Sequence, residues 1–247
     1  MENSNLPQTR VSTVVMSGEY VNIIKQVERE LKIRIIKTIE SYELPYPERF
    51  HADMQIHQCG NALTIIRNSC SILENKIRNL DICKNIVICD RSSISDYPNN
   101  ITLNAAHIGD YLLCKKSHSY KDLLLWYIDK GVRILDVKQG YARCSTAIIS
   151  HNAVITDDES ILKSCKRFND IDVLKVSKGS VKLKGCEYGF IGGCCFKADK
   201  NNLVFFGDVR QHSDYKDIKA FCRNYGVELL SLANCELIDI GGAVILK

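Results

Sequence analysis

The sequence has no long apolar run. No apolar stretch approaches the roughly 20 residues that a membrane-spanning helix needs. The first residues, Met1–Pro7, contain neither the basic start nor the apolar segment of an export signal. These absences predict a cytoplasmic protein without a membrane partner.

Proline is scarce, with four residues in 247, and neither Cys-x-x-Cys nor His-Glu-x-x-His occurs. Those spacings are typical of zinc sites. Four side chains of ligand type lie close together in the sequence without such spacing: His51, Asp53, His57 and Cys59. We therefore expect neither a metal nor a cofactor. The twelve cysteines are interpreted as reduced thiols, most of them buried, because no export signal accompanies them.

Neither sign of charge dominates the sequence. Lys and Arg number 33 against 29 Asp and Glu, which gives a net charge of +4. The lysines are scattered and are not interleaved with aromatic residues, as on a solvated surface. A nucleic-acid partner is therefore not expected. The apolar fraction of 45% is enough for a buried core and excludes a disordered chain.

What the sequence does contain is one unit repeated five times. Each unit has a short apolar segment typical of a buried strand: Lys32–Thr38, Asn85–Cys89, Val132–Val137, Ile171–Val176 and Val227–Leu232. An amphipathic helix precedes each strand. Ser71 and Glu74 have the spacing of a capping box for the second helix, and Asp157 or Asp158 would begin the fourth.

A segment typical of a strand pair follows each loop: His51–Arg67, Asn104–Lys115, Cys144–Thr156, Gly189–Val209 and Asp239–Leu246. The first strand, Val11–Met16, has no partner in this scheme. Pairing it beside Asp239–Leu246 would complete the fifth unit and close a ring without exposed edges. We therefore predict an α/β fold, a five-bladed α/β propeller with pseudo-fivefold repeats of helix, strand and strand pair.

The predicted propeller is a single domain over residues 11–247, preceded by an N-terminal tail at residues 1–10. The alternative is an open doubly wound sheet of alternating helices and strands. That alternative does not explain why a strand pair follows every loop. It also lacks a dinucleotide fingerprint, because Gly189–Gly193 begins a strand pair rather than a helix.

Five short phrases carry a family resemblance: His51-Ala-Asp53, Lys138-Gln-Gly-Tyr-Ala-Arg-Cys144-Ser, Gly189-Phe-Ile-Gly-Gly193, Phe205-Phe-Gly-Asp208 and Asp239-Ile-Gly-Gly242. They resemble an uncharacterised bacterial family with the guanidino-group-modifying-enzyme (GME) fold, also called the pentein fold. The resemblance covers nearly the whole chain, from about residue 11 to residue 247. It implies a five-bladed α/β propeller, in agreement with the repeat count.

The pentein superfamily includes arginine deiminases, dimethylarginine hydrolases and amidinotransferases. It also includes a ribosome anti-association factor that binds without catalysis, so membership implies the fold rather than the activity. Catalytic penteins carry a nucleophilic cysteine just after a late Gly-Gly stretch. Here Asp239–Gly242 is followed by Ala243–Lys247, which contains no cysteine. The late histidine of those enzymes is also missing from Gly189–Cys195.

Polar residues at the start of the extended segments would converge at the centre of a propeller. In the first segment, four polar residues alternate with apolar ones: His51, Asp53, Gln55 and His57. This period of two predicts a strand with one polar face and one apolar face. The polar face would either line a central pocket or be exposed to the solvent.

Cys144 begins the third extended segment and is the candidate nucleophile, with Arg143 beside it to favour the thiolate. It would attack the central carbon of a guanidinium or a related carbon, while His51 would transfer the proton. The alternative is that Cys144 is a small buried residue of the core, like most of the other cysteines.

Asp53 and Asp239 would hold the substrate, because a guanidinium is a planar, cationic fork of donors that pairs with carboxylates. Asn104, at the start of the second segment, would add a neutral hydrogen bond. The sequence thus favours a metal-free, Cys-dependent hydrolase or transferase whose small guanidino or related nitrogenous ligand binds in the central pocket. The rival hypothesis is a non-catalytic binding protein on a degenerate pentein scaffold. The oligomeric state stays open.

Overall fold

Short strands and helices alternate along the chain in the computed structural model, which describes residues 2–80, 82–83, 85–90, 96–168 and 170–247. The first part contains β1 (Thr13–Met16), α1 (Val21–Gln26), β2 (Arg34–Lys37), α2 (Ala52–Gln55), β3 (Ile56–Cys59), β4 (Leu63–Arg67), α3 (Ser71–Arg78), β5 (Ile86–Cys89), β6 (Ala106–Ile108), β7 (Tyr111–Cys114), α4 (Lys121–Asp129) and β8 (Arg133–Asp136). The second part contains β9 (Thr146–Ser150), β10 (Ala153–Thr156), α5 (Glu159–Cys165), β11 (Asp172–Lys175), β12 (Val181–Lys182), β13 (Cys195–Lys197), β14 (Asn202–Phe205), α6 (Tyr215–Asn224), β15 (Glu228–Ser231), β16 (Leu237–Ile238) and β17 (Ala243–Ile245). Within these ranges no helix is long and apolar enough to span a membrane.

Five three-stranded sheets repeat one pattern. Their strand orders are β17-β1-β2, β3-β4-β5, β6-β7-β8, β9-β10-β11 and β13-β14-β15. In each sheet the central strand pairs antiparallel with one neighbour and parallel with the other. A parallel pair needs a crossover connection, and the helices α1, α3, α4, α5 and α6 provide one in each sheet. A small sixth sheet pairs β12 with β16.

The five strands predicted from the sequence are confirmed as the parallel edge strands β2, β5, β8, β11 and β15. The predicted partner of the first strand is also confirmed. Val14 pairs with Ile245 and Met16 with Ala243 in an antiparallel ladder. The two ends of the chain therefore belong to the same sheet, in which β1 is covered on both sides.

The segment from His51 to His57 differs from its prediction. The alternation of polar and apolar residues predicted a strand, whereas α2 occupies Ala52–Gln55 and β3 begins only after it. Every side chain of the segment is buried. The alternation of polar and apolar residues indicates a strand when one face is buried and the other is exposed. It does not indicate a strand where both faces are buried. Gln55 donates to the carbonyl oxygens of Ile39 and Arg49 at 2.7 Å, which replaces the hydrogen bonds that water would make.

The helix caps follow the sequence in part. Asp158 is the N-cap of α5, and its Oδ1 accepts two backbone N–H groups at 2.8 and 3.0 Å. The predicted capping box of α3 is wrong, because Ser71 is already the first helical residue and no side chain caps the helix. Glu74 instead accepts a hydrogen bond from Arg78, one turn later, at 2.7 Å.

Apolar cores fill the space between each sheet and the helices beside it. In one of them Leu112 of β7 packs with Leu123 and Tyr127 of α4. The N-terminal tail packs against the hairpins, since Asn3 Nδ2 donates to the carbonyl oxygen of His107 at 3.0 Å. The segments that lead into the first strand of each hairpin carry the candidate site.

Candidate active site

Five residues predicted for the site come together at the start of α2 and at the loops that precede β6, β9 and β17. Each is at most 3% exposed: His51, Asp53, Asn104, Cys144 and Asp239. Cys144 contacts Asp53 and Asn104 directly, and His51 lies beside Asp239. The sequence separations are large, 91 residues between Cys144 and Asp53 and 40 between Cys144 and Asn104. Only the tertiary fold joins them.

The thiol of Cys144 is held between two side chains. Its Sγ donates to Asp53 Oδ2 at 2.8 Å, and Asn104 Nδ2 lies 3.3 Å from the same sulfur. Asn104 Oδ1 accepts the backbone N–H of Arg143 at 2.8 Å and that of Cys144 at 3.4 Å. Asn104 therefore positions both the backbone and the sulfur of Cys144.

The surroundings of Cys144 favour the protonated thiol over the thiolate. Burial raises the pKa of Cys144 well above its usual range, and the carboxyl groups of Asp53 and Asp239 raise it further. Burial also raises the pKa of Asp53, an effect partly offset by His51 and by the hydrogen bond from Cys144. The expectation that Arg143 favours the thiolate is not met, because its guanidinium donates to main-chain carbonyl oxygens and burial dominates the pKa of the thiol.

Both ring nitrogens of His51 are buried, and neither has a hydrogen-bond partner in the part of the chain that the structure describes. Its Nδ1 lies 4.0 Å from Asp239 Oδ1. The ring packs against the backbone of Gly241, where a Cβ would lie 2.5 Å from the Cβ of His51. The positive φ of Gly241, +77°, also favours glycine there. His51 is thus held in place by packing while its nitrogens are left for another group.

Asp239 is anchored by the backbone on both of its oxygens. Oδ2 accepts the N–H of Phe190 at 2.9 Å, and Oδ1 accepts the N–H of Gly241 at 3.0 Å. A Cβ on Gly193 would overlap this carboxyl group. Glycine at position 193 therefore allows the carboxylate to approach the main chain.

Glu48 is a residue of this region that the sequence analysis missed. It ends a 3-10 turn, Tyr46–Glu48, that gives its carboxyl group no distinctive spacing. Its Oε2 is buried and has no hydrogen-bond partner within the described ranges. Burial raises the pKa of Glu48, while His51 and a hydrogen bond with Tyr141 lower it. Glu48 therefore adds a third buried carboxyl group next to those of Asp53 and Asp239.

Three side chains of the site are of metal-ligand type and lie close together. One ligand atom each of His51, Asp53 and Cys144 lies within 4.8 Å of the others. His57, which the sequence grouped with them, is engaged elsewhere, because its Nδ1 lies 3.1 Å from Leu103 O and its Nε2 lies 3.0 Å from the hydroxyl of Tyr127.

Aromatic side chains lie beside the site, because the backbone of Phe190 binds Asp239 and Tyr141 forms a hydrogen bond with Glu48. The half-buried ring of Tyr141 lies 5.6 Å from Tyr97 and 6.0 Å from Phe190, measured between ring centroids. Five surface clefts of about 460 to 620 Å³ are lined by other residues. The central pocket predicted from the sequence thus stays a prediction.

Comparison with solved structures identifies the fold. DDAH from Pseudomonas aeruginosa, in complex with citrulline, superposes with a TM-score of 0.57 at 11% identity and covers 95% of this chain and 97% of its own. An amidinotransferase of the saxitoxin biosynthetic pathway from Microseira wollei gives 0.59 at 8% identity, with 97% of both chains covered. Agmatine deiminase from C. jejuni gives 0.57 at 8% identity, with 96% and 93% covered.

These structures are guanidino-modifying enzymes of the pentein fold, and the likeness shows that this chain has the same mixed α/β fold. No protein of curated function matches the chain. A family model described as "Family of unknown function (DUF6873)" matches residues 15–244. The resemblance to an uncharacterised family of the pentein fold is therefore confirmed, and the chain belongs to the family of unknown function DUF6873.

Proposed function

We propose that this protein is an enzyme, a Cys-dependent hydrolase or transferase acting on a guanidino or related small nitrogenous compound. Cys144 is the nucleophile, His51 is the acid/base, and Asp53, Asn104 and Asp239 bind the substrate. The five repeated sheets surround a pseudo-fivefold axis, as in an α/β propeller, and the substrate binds at this axis.

One observation carries the proposal: Asp53 and Asp239 lie near the buried Cys144 thiol, Glu48 lies near both of them, and among the described residues no Lys or Arg forms a hydrogen bond or ion pair with these three carboxyl groups. Asp53 Oδ1 and Glu48 Oε2 are both unpartnered among the described residues. Arg143 directs its guanidinium to the carbonyl oxygens of Thr146 and Gly192. Buried charges are costly unless they are paired, so the site favours a ligand that brings a positive charge.

A guanidinium pairs with these buried carboxyl groups better than a simple amine does. Its planar fork of N–H donors can reach two carboxylates at once, whereas an ammonium group is a point charge. A cation between Asp53 and Asp239 would also offset the two carboxyl groups that help to raise the pKa of Cys144. Binding of the substrate would thereby make the thiolate easier to form at the moment when it is needed.

The proposed chemical step begins with attack of Cys144 Sγ on the guanidino carbon. The thiol proton passes through His51 to the nitrogen that leaves, and the carbon–nitrogen bond breaks to give a covalent thioether-linked amidino intermediate. Water then displaces the sulfur in a hydrolase, or an acceptor amine displaces it in a transferase. In both cases the thiol is regenerated, so no redox partner is needed.

A non-catalytic binding protein is the second candidate, and a specific observation favours it. Cys144 is buried and its thiol pKa is raised, and the sequence lacks the cysteine that catalytic penteins carry after the last Gly-Gly. In this case the same carboxyl groups hold a cationic ligand without any reaction. The scaffold would then serve recognition alone.

The test is a turnover assay of the full chain with L-arginine, N-methylated arginine and agmatine, measured by release of ammonia or amine. An added acceptor amine detects transfer. We expect the Cys144→Ser variant to lose about a thousandfold or more in kcat, because the nucleophile is removed. Cys165→Ser, at a buried thiol in another core, is the matched control and should keep full activity.

Full turnover by the Cys144→Ser variant would exclude Cys144 as the nucleophile. If a guanidino compound raises the melting temperature but no turnover occurs, the binding protein is the correct function. A ligand at 100 times its Kd would stabilise the chain by about 2.7 kcal/mol. If neither turnover nor stabilisation occurs with any of these compounds, the guanidino proposal is wrong.

A further inference from the structure

The cluster of His51, Asp53 and Cys144 has a second property that goes beyond the proposed catalytic role. One ligand atom from each side chain lies within 4.8 Å of the other two, and all three residues are buried. The cluster joins the start of α2 to the loop before β9, and Asp53 and Cys144 are 91 residues apart in the sequence. No spacing rule applied to the sequence could have found it, which is why no metal was expected there.

The ligand types of this cluster select the cation. A thiolate and an imidazole are nitrogen and sulfur ligands, which suit zinc, whereas calcium and magnesium prefer oxygen ligands alone. The thiolate of Cys144 and the carboxylate of Asp53 would together carry two negative charges. These two charges balance one divalent cation, so that a zinc ion could be buried without a net charge.

An independent observation points to a missing ligand. Both ring nitrogens of His51 are buried and have no partner among the described residues, and the same holds for Asp53 Oδ1. Buried polar groups in proteins are nearly always hydrogen-bonded or bound to a metal. Among the described residues, the carboxyl group of Asp53 forms one hydrogen bond, which it accepts from Cys144 Sγ at 2.8 Å.

The number of protein ligands indicates the kind of metal site. Asp239 Oδ1 lies 4.0 Å from His51 Nδ1, but in the described part of the chain only His51, Asp53 and Cys144 bring their ligand atoms within 4.8 Å of one another. Three protein ligands therefore remain, and zinc usually takes four. A fourth position would be filled by water or by a small ligand, as in zinc sites that are not purely structural.

We propose that His51, Asp53 and Cys144 bind one zinc ion. Binding releases the proton of the thiol, because zinc takes the thiolate as its ligand. A zinc ion bound to Cys144 also occupies the sulfur, so the zinc-loaded chain cannot use it as a nucleophile. Zinc binding stands whether or not Cys144 is catalytic, and where it is catalytic the metal is a reversible inhibitor of the same site.

The test measures metal binding directly, with no substrate present. The exposed thiols of Cys186 and Cys235 are first replaced by serine to remove adventitious ligands. The chelator-treated chain then competes with a chromophoric zinc indicator, and we expect one zinc ion bound per chain. Cobalt in place of zinc should give a thiolate-to-cobalt absorption band in the near ultraviolet.

Variants in the same background identify the ligands. We expect Cys144→Ser and Asp53→Asn to weaken zinc binding by more than about tenfold, and Cys144→Ser to abolish the cobalt band. Cys165→Ser, a buried thiol in another core, should leave both unchanged. Circular dichroism checks that each variant is folded, and Asp53→Asn keeps the shape of the side chain if Cys144→Ser does not fold.

A folded parent that binds no stoichiometric zinc would overturn the proposal, and so would a cobalt band that persists in the Cys144→Ser variant. These outcomes are separate from those of the turnover assay, which is run with a zinc chelator present. Zinc binding without turnover rejects only the enzyme. Turnover without zinc binding rejects only the metal site.

Discussion

The close approach of Asp239 to the main chain makes Gly193→Ala a demanding test of the site. A Cβ at position 193 would overlap Oδ1 and Cγ of Asp239 and lie 2.7 Å from its Oδ2. The backbone at Gly193 does not have a positive φ, so alanine itself is not strained there. The carboxyl group of Asp239 now accepts hydrogen bonds from the N–H groups of Phe190 and Gly241 at 2.9 and 3.0 Å. With alanine at position 193 it must move away from both donors.

The cost follows from these two hydrogen bonds. A hydrogen bond to a charged group contributes about 1.5 to 3 kcal/mol, so losing both should lower the free energy of unfolding by about 3 to 6 kcal/mol. In a chain of 247 residues, each kcal/mol shifts the melting temperature by about 2 to 4 °C. We therefore expect Gly193→Ala to melt at least about 6 °C below the parent, as measured by circular dichroism and by urea unfolding.

Two further variants separate this clash from a general effect of replacing glycine. Gly179→Ala, at an exposed glycine with open space around it, should cost only about 1 kcal/mol for its positive φ. In an Asp239→Ala background, Gly193→Ala should add much less than it does alone, because the overlapping atoms are gone. Full additivity of the two substitutions, or a Gly193→Ala variant as stable as the parent, would refute the argument.

Three other predictions concern stability. Arg67→Met should lower the free energy of unfolding by about 3 kcal/mol or more, because the buried guanidinium donates to Asn100 O at 2.6 Å and to Met54 O at 3.0 Å and these acceptors would lose their partner. Burial lowers the pKa of His57 from 6.5 to about 4, so the unfolded chain binds more protons between these values and stability falls as the pH falls. His57→Gln should therefore reduce the slope of unfolding free energy against pH in that window by up to about 1.4 kcal/mol per pH unit. Asp158→Ala should cost about 1 kcal/mol, because α5 loses its N-cap.

Each of these has a clear contrary result in urea unfolding. An Arg67→Met variant of unchanged stability would mean that the two acceptors find other partners. An unaltered pH slope in His57→Gln, measured between pH 4 and 6.5, would mean that His57 is protonated in the folded chain. Asp158→Asn keeps an N-cap acceptor and is the control for Asp158→Ala, so equal losses in both would show that the cap is not the cause.

The repeated elements could be predicted because their signals are local. The five edge strands lie in short apolar segments that follow amphipathic helices, and this pattern needs no knowledge of distant residues. The pairing of Val11–Met16 with the last strand followed from counting strands, since one strand at each end lacked a partner. The register, with Val14 opposite Ile245, was left for the structure to determine.

The site could be predicted only in outline. Polar residues that begin the extended segments were expected to converge, and Asp53, Asn104 and Cys144 do meet, although the structure places them before the strands. The helix α2, however, lies where a strand was predicted. All side chains of this segment are buried, so the alternation of polar and apolar residues could not distinguish a buried face from an exposed one. Glu48 was missed because its turn has no distinctive pattern. Its part in the site depends on neighbours from other loops.

By itself, the sequence determined the repeated elements and their order, since hydrophobic periodicity acts between residues a few positions apart. Only the tertiary structure decided the state of the Cys144 thiol. Its hydrogen bond to Asp53, its burial and the nearby carboxyl group of Asp239 all come from separate segments of the chain. A pKa depends on the solvent and charges around a group, and these exist only after folding has brought those segments together.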